Sequence, residues 1–219
     1  MVVGSQVVIQ PSHILFTLFS RHYSNKTSLT WGQNGQANFT VVVKLSESCS
    51  IYNCANTASY NCEDTAGWPF DFNKLWGRAR CGYLHDHHQD SDRFVFRRCS
   101  DGSCNSYNGT NTIQIAAYLY DNGVKPYTGE DTGLLKVFAN TLLPETYYQL
   151  QLSMDSNGKS IFTLYSYDKA TEDAVVIETQ YVYHKTLCTK NYFEGTVQGL
   201  YNGGTCLAPL EIAVEYVAV

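Results

Sequence analysis

Charge is scarce in this chain: only 16% of its residues are Asp, Glu, Lys or Arg, and the formal net charge is −5. Affinity for nucleic acid comes largely from basic residues that release counterions from phosphates, so a nucleic-acid partner is not expected. Proline is sparse, at 5 residues. No Pro/Gly/Ser-rich linker or block of charge divides the sequence, so residues 1–219 read as one domain. No apolar run reaches the length of a membrane helix. The stretch Ile14–Phe19 is too short and too far in for a signal peptide, so the start reads as a mature or engineered end, and no membrane partner is expected. No CxxC pair and no Cys/His spacing marks a zinc site, and neither a metal nor a cofactor is expected.

Cysteine and aromatic residues are plentiful by contrast. Cys49, Cys54, Cys62, Cys81, Cys99, Cys104, Cys188 and Cys206 are even in number and scattered. A chain of this length buries a core without covalent help, so disulfides formed in an oxidising compartment are the better reading. Cys99–Cys104, closing a local loop, and Cys188–Cys206, tying the last strands, are the expected pairs. The glycosylation sequons at Asn25, Asn38 and Asn108 agree with secretion. The 17 Tyr, 10 Phe and 3 Trp suit a protein that stacks rings on sugars, and equally suit a β-sandwich core.

Alternation with period two dominates. Strands are expected at Ala37–Leu45, Arg93–Arg98, Thr112–Tyr120, Tyr147–Met154, Ser160–Tyr167, Val175–Tyr183 and Glu211–Val217. Asn157-Gly158 is a hairpin turn signal, because both residues tolerate positive φ. Leu134–Thr141 reads as a short helix, and Cys49–Trp68 as a cysteine-pinned loop. Strands at hairpin spacing imply an all-β jelly-roll β-sandwich, two antiparallel sheets with a concave substrate groove.

Residues two apart in a strand share a face. Ser91, Arg93 and Arg97 should therefore point one way, and Phe94 and Phe96 into the core. Ile113, Ile115, Ala117 and Leu119 should be buried, leaving Gln114, Tyr118 and Tyr120 on the opposite face. Hydroxyl, guanidinium, amide and phenol groups then line a surface that two strands could share. A solvated arginine and a half-buried tyrosine patch are the plain alternatives for each residue taken singly.

The segments Phe72-Asn73-Lys74-Leu75-Trp76-Gly77, His87-His88-Gln89-Asp90-Ser91-Asp92-Arg93-Phe94-Val95-Phe96-Arg97 and Tyr118-Leu119-Tyr120 together resemble family 14 of the polysaccharide lyases. That family carries a Gly-Gly-Lys-Leu-Pro-Gly-like element, a Ser-Thr-Arg-x-x-x-Arg strand and a Tyr-x-Tyr strand in this order. Gly199–Gly204 followed by Ala208-Pro209 is similar to its Phe-Phe-Gly-Gly…Ala-Pro segment. The chain departs from the pattern at Asn73 and Trp76, in Arg78–Leu84, and in a cysteine-bounded insertion between Arg97 and Tyr118.

The resemblance implies a jelly-roll enzyme that takes an acidic polysaccharide such as alginate or glucuronan and cleaves it by β-elimination; secretion follows from the cysteines and sequons, and a monomer is expected. It implies Lys74, Ser91, Arg93, Tyr118 and Tyr120 as catalytic residues. His88, Arg97, Gln114 and Tyr201 would contact substrate. Arg93 or Lys74 would stabilise the dianion that develops when the proton at C5 leaves. Tyr118, Tyr120 or Lys74 would act as the base, because nearby positive charge favours phenolate and desolvation favours neutral lysine. A carbohydrate-binding jelly roll without turnover is the alternative.

Overall fold

The computed structural model describes residues 5–9, 28–31, 38–51, 72–81, 88–99, 112–124, 126, 133–155, 159–185, 195–201 and 212–217. For residues 5–9, 28–31, 51, 98–99, 195–201, 212–213 and 216–217 the description is of the backbone only. The chain runs β1 (Ser5–Ile9), β2 (Ser28–Trp31), β3 (Asn38–Leu45), a single turn α1 (Ser48–Ile51), β4 (Asn73–Ala79), β5 (Ser91–Cys99) and β6 (Thr112–Tyr120). It continues with β7 (Leu135–Leu142), β8 (Tyr147–Met154), β9 (Lys159–Asp168), β10 (Asp173–Tyr183), β11 (Gly195–Tyr201) and β12 (Ile212–Val217). Two six-stranded antiparallel sheets form a jelly-roll sandwich. The first is ordered β1-β12-β3-β8-β9-β10 and the second β2-β11-β4-β5-β6-β7.

The core lies between the sheets and follows from the alternation. Val41, Val43 and Leu45 of β3, Leu150 and Leu152 of β8, and Phe162 and Leu164 of β9 come from the first sheet. They meet Phe94 and Phe96 of β5 and Ile113, Ile115, Ala117 and Leu119 of β6. The Phe94 ring packs edge-on against Phe162 at 5.0 Å between centroids, linking the layers. Each such side chain, fully buried, contributes about 1.5–3 kcal/mol.

Leu134–Thr141 is not a helix. The segment forms β7, paired with β6 from Ile113↔Leu142 to Tyr118↔Leu135. A bulge lies between Gln114↔Thr141 and Ala116↔Val137, so β7 spends extra residues there. The bulge resets the alternation and leaves Leu134, Phe138 and Leu142 in the core, four residues apart. That spacing imitates a helical stripe. The amides freed at the bulge are taken by Glu178 of β10, whose carboxylate accepts from Ala139 N and Asn140 N, both at 2.9 Å. Burial opposes ionisation of Glu178, but these hydrogen bonds outweigh it and hold its carboxyl below the usual range.

Cys49 departs from the all-disulfide reading: it keeps a buried thiol, pushed up to about 12 by desolvation. The proposed Cys99–Cys104 and Cys188–Cys206 pairs lie outside the described residues, as do the Asn157-Gly158 turn and most of the Cys49–Trp68 loop. Asp155 closes the β8–β9 hairpin at its described base, its amide donating to Lys159 O and its carboxylate accepting from Lys159 N, each at 3.0 Å.

Candidate active site

The face of the second sheet that points away from the core carries most of the expected site. Register across β4, β5 and β6 sets Arg93 between Gly77 and Tyr118, Ser91 opposite Tyr120, and Arg97 opposite Gln114. A second apolar cluster on this face holds Phe72, Val95, Ala116, Tyr118 and Tyr120.

Lys74 joins them through a bulge in β4. Lys74 pairs with Val95 and Trp76 with Phe94, so Leu75 is the extra residue. Leu75 and Trp76 both enter the core. Without the bulge, Lys74 and Trp76 would share a face. With it, the Lys74 ammonium lies 4.9 Å from the Tyr120 ring centroid and 5.7 Å from that of Tyr118. The two phenol rings are 5.6 Å apart, and the His88 ring stands edge-on to Tyr120 at 5.2 Å.

Arg97 and Gln114 are engaged with each other, Arg97 Nε donating to Gln114 Oε1 at 2.6 Å while the guanidinium covers the Phe72 ring at 4.9 Å. Tyr201 is the backbone partner of Lys74 across β11, and its side chain lies outside the described residues. The Ser91 hydroxyl is buried and has no hydrogen-bond partner among the described residues. Exposure across the set is low: 4% for Lys74, 2% for Arg93, 7% for Tyr118 and 5% for Tyr120.

Gly77 is what allows the Arg93 side chain to lie flat against β4. A Cβ there would stand 2.0 Å from Asp92 O and 2.9 Å from Arg93 Cδ. Gly77→Ala is therefore expected to force β4 and β5 apart, at a cost of about 1–3 kcal/mol, or roughly 2–12 °C in Tm. A thermal melt checks it, and an unchanged Tm would remove this role for the glycine.

The opposite side of the same strands holds a charged network that alternation implies but that the motifs conceal. Asp92 sits between Ser91 and Arg93 and so points inward. Its Oδ2 accepts from Arg78 Nε at 2.8 Å and Ser160 Oγ at 2.9 Å, with Arg78 Nη2 at 2.6 Å, while His184 Nε2 meets Oδ1. Burial alone would raise the Asp92 carboxyl, but the charges of His184 and Arg78 outweigh it and hold it far below the usual range. For His184 burial favours the neutral ring, and Asp92 reverses this, moving it upward. Asp90, paired with Arg80 at 3.2 Å, is raised by burial. The available signal was a charged residue, Asp92, at a core-facing step of β5, with Arg78 at its cross-strand partner position.

No protein-family model and no curated protein matches this sequence. Among solved structures, alginate lyase Aly36B, a mutant bound to an alginate trisaccharide, matches over 98% of this chain and 79% of that chain, with a TM-score of 0.52 and 8% identity. The chain shares its fold with an alginate lyase. The marine PL-14 alginate lyase from Aplysia kurodai aligns over 89% of this chain and 80% of that one, at 8% identity and a TM-score of 0.44. At such identities the alginate-lyase likeness is one of fold, and function must be argued from the site.

Proposed function

We propose that this chain is a secreted polysaccharide lyase that cleaves a uronate-containing polysaccharide, such as alginate or glucuronan, by β-elimination. The observation that carries the reading is the meeting of Lys74, Arg93, Tyr118 and Tyr120 on one face, with the lysine ammonium within 4.9 and 5.7 Å of the two phenol rings.

β-Elimination removes the proton at C5 and expels the oxygen at C4, leaving a C4–C5 double bond. Abstraction places a second negative charge beside the uronate carboxylate. Arg93 offers that carboxylate two parallel donors, and Lys74 adds a point charge. Tyr118, the cross-strand neighbour of Arg93, is the group best placed to take the C5 proton as a phenolate. Tyr120, one step along the same face, returns a proton to the departing C4 oxygen. Ser91, opposite Tyr120, has a spare hydroxyl for a sugar oxygen.

Mixing the protein with alginate, glucuronan and a neutral glucan tests this directly. Ultraviolet absorbance from the new double bond should rise with at least one polyuronate and never with the glucan. Silence with every polyuronate, from mildly acidic to alkaline pH, would sink the proposal.

The low exposure of the site favours a second reading, a carbohydrate-binding jelly roll without turnover. It expects saturable, salt-sensitive binding to the same polymers and no absorbance change.

A further inference from the structure

Three strand ends meet at one end of the sandwich, behind the face just described. Asp90 precedes β5, Asp121 follows β6, and His184 follows β10 of the other sheet. All three are buried, at 1%, 4% and 6% exposure. One ligand atom from each lies within 4.8 Å of the others. His184 Nδ1 is 3.8 Å from Asp90 Oδ1 and 3.9 Å from Asp121 Oδ1.

Neither separation is a hydrogen bond. His184 Nδ1 and Asp90 Oδ1 are both enclosed and make no hydrogen bond. The enclosed Nδ1 and Asp90 Oδ1 thus face one another without a hydrogen bond, an arrangement that is costly unless something fills the gap. The second ring nitrogen explains which atom is offered. Asp92 takes Nε2, which leaves Nδ1 as the ring nitrogen offered to a cation, with loss of its proton on binding. Asp121 is held in turn by Lys185 N, which donates to Oδ2 at 2.7 Å, and its Oδ1 lies 3.9 Å from Nδ1.

We propose that Asp90, Asp121 and His184 bind one divalent cation of the zinc or manganese class. The donor set, one imidazole nitrogen and two carboxylate oxygens, suits these ions better than calcium, which takes six to eight oxygens. Metal–ligand bonds of about 2.0–2.2 Å at the tetrahedral angle separate ligands by about 3.3–3.6 Å, so the two separations from His184 need shorten by only a few tenths of an ångström. Arg80 Nη1, 3.2 Å from Asp90 Oδ1, shares that carboxylate with the ion and limits its charge. The ion would tie β5 and β6 of the second sheet to β10 of the first, directly behind Ser91 and Tyr120. Its role is structural, and the proposal stands apart from the lyase reading.

The test uses the whole chain, stripped with EDTA. Crystals soaked in MnCl2 or ZnCl2 should show one anomalous peak within bonding distance of Asp90, Asp121 and His184. Calorimetry should give one site per chain, weakened at least tenfold in Asp121→Asn and in Asp90→Asn, with calcium weaker than manganese or zinc. No peak there overturns the proposal, as does a protonated imidazole filling the gap alone. So does binding that both variants retain, as they would for an ion held elsewhere on the chain. If a variant fails to fold, the wild-type anomalous map still decides.

Discussion

Replacing Tyr118 by phenylalanine is expected to lower kcat on the cleaved polyuronate by about 10²–10⁴-fold, the usual contribution of a positioned acid or base. The change removes one oxygen from a ring that packs against Tyr120 and lies beneath the Lys74 ammonium, so the face keeps its shape and its charge. Tyr120→Phe should act similarly if it protonates the leaving oxygen. The double variant should be little slower than the worse single one, because groups that act as a unit are not additive. KM should move far less than kcat, since neither hydroxyl is asked to bind the ground state. Steady-state kinetics from the ultraviolet signal, with circular dichroism as the control for folding, makes the measurement. Equal turnover in wild type and both variants would mean that the paired phenols are packing and no more.

Asp92→Asn is expected to have the largest effect on stability. Asp92 is wholly buried and answers Arg78, Ser160 and His184 at once. The amide keeps the volume, removes the charge, and leaves the Arg78 guanidinium, itself 1% exposed, without its counterion. Breaking a buried pair in this way costs about 3–5 kcal/mol. For a chain of this size that is roughly 6–20 °C in Tm. Replacing both Arg78 and Asp92 by apolar residues of similar volume should recover much of the loss, because the partner charge is then gone as well. A calorimetric melt of the single and double variants reads both outcomes. A loss below about 1 kcal/mol in Asp92→Asn would show that the network is incidental to folding.

These two expectations come from opposite faces of the same sheet, and they were not equally visible beforehand. Ser91, Arg93 and Arg97 on one face of β5, and Gln114, Tyr118 and Tyr120 on one face of β6, were legible because side chains alternate wherever the backbone is extended. The same rule placed Phe94, Phe96, Ile113 and Ile115 in the core. Lys74 was found through its motif alone. Its motif could not say that Lys74 faces the tyrosines, since strict alternation would have put it with Trp76, inside. Arg97 and Gln114, expected to contact substrate, are hydrogen-bonded to each other, which a one-strand pattern does not show.

What the chain's own order of residues settled is the all-β sandwich and the inward or outward sense of each regular strand, because that alternation is a property of extended backbone and needs no distant partner. What tertiary structure decided is everything that depends on bulges and on pairing across long separations. The β4 bulge delivers Lys74, and the β6–β7 bulge turns an apparent helix into a strand. His184 reaches Asp92 across a separation of 92 residues. A bulge is placed where one strand must fit another, and a buried charge survives only where its counter-charge arrives, so neither is encoded in a local pattern.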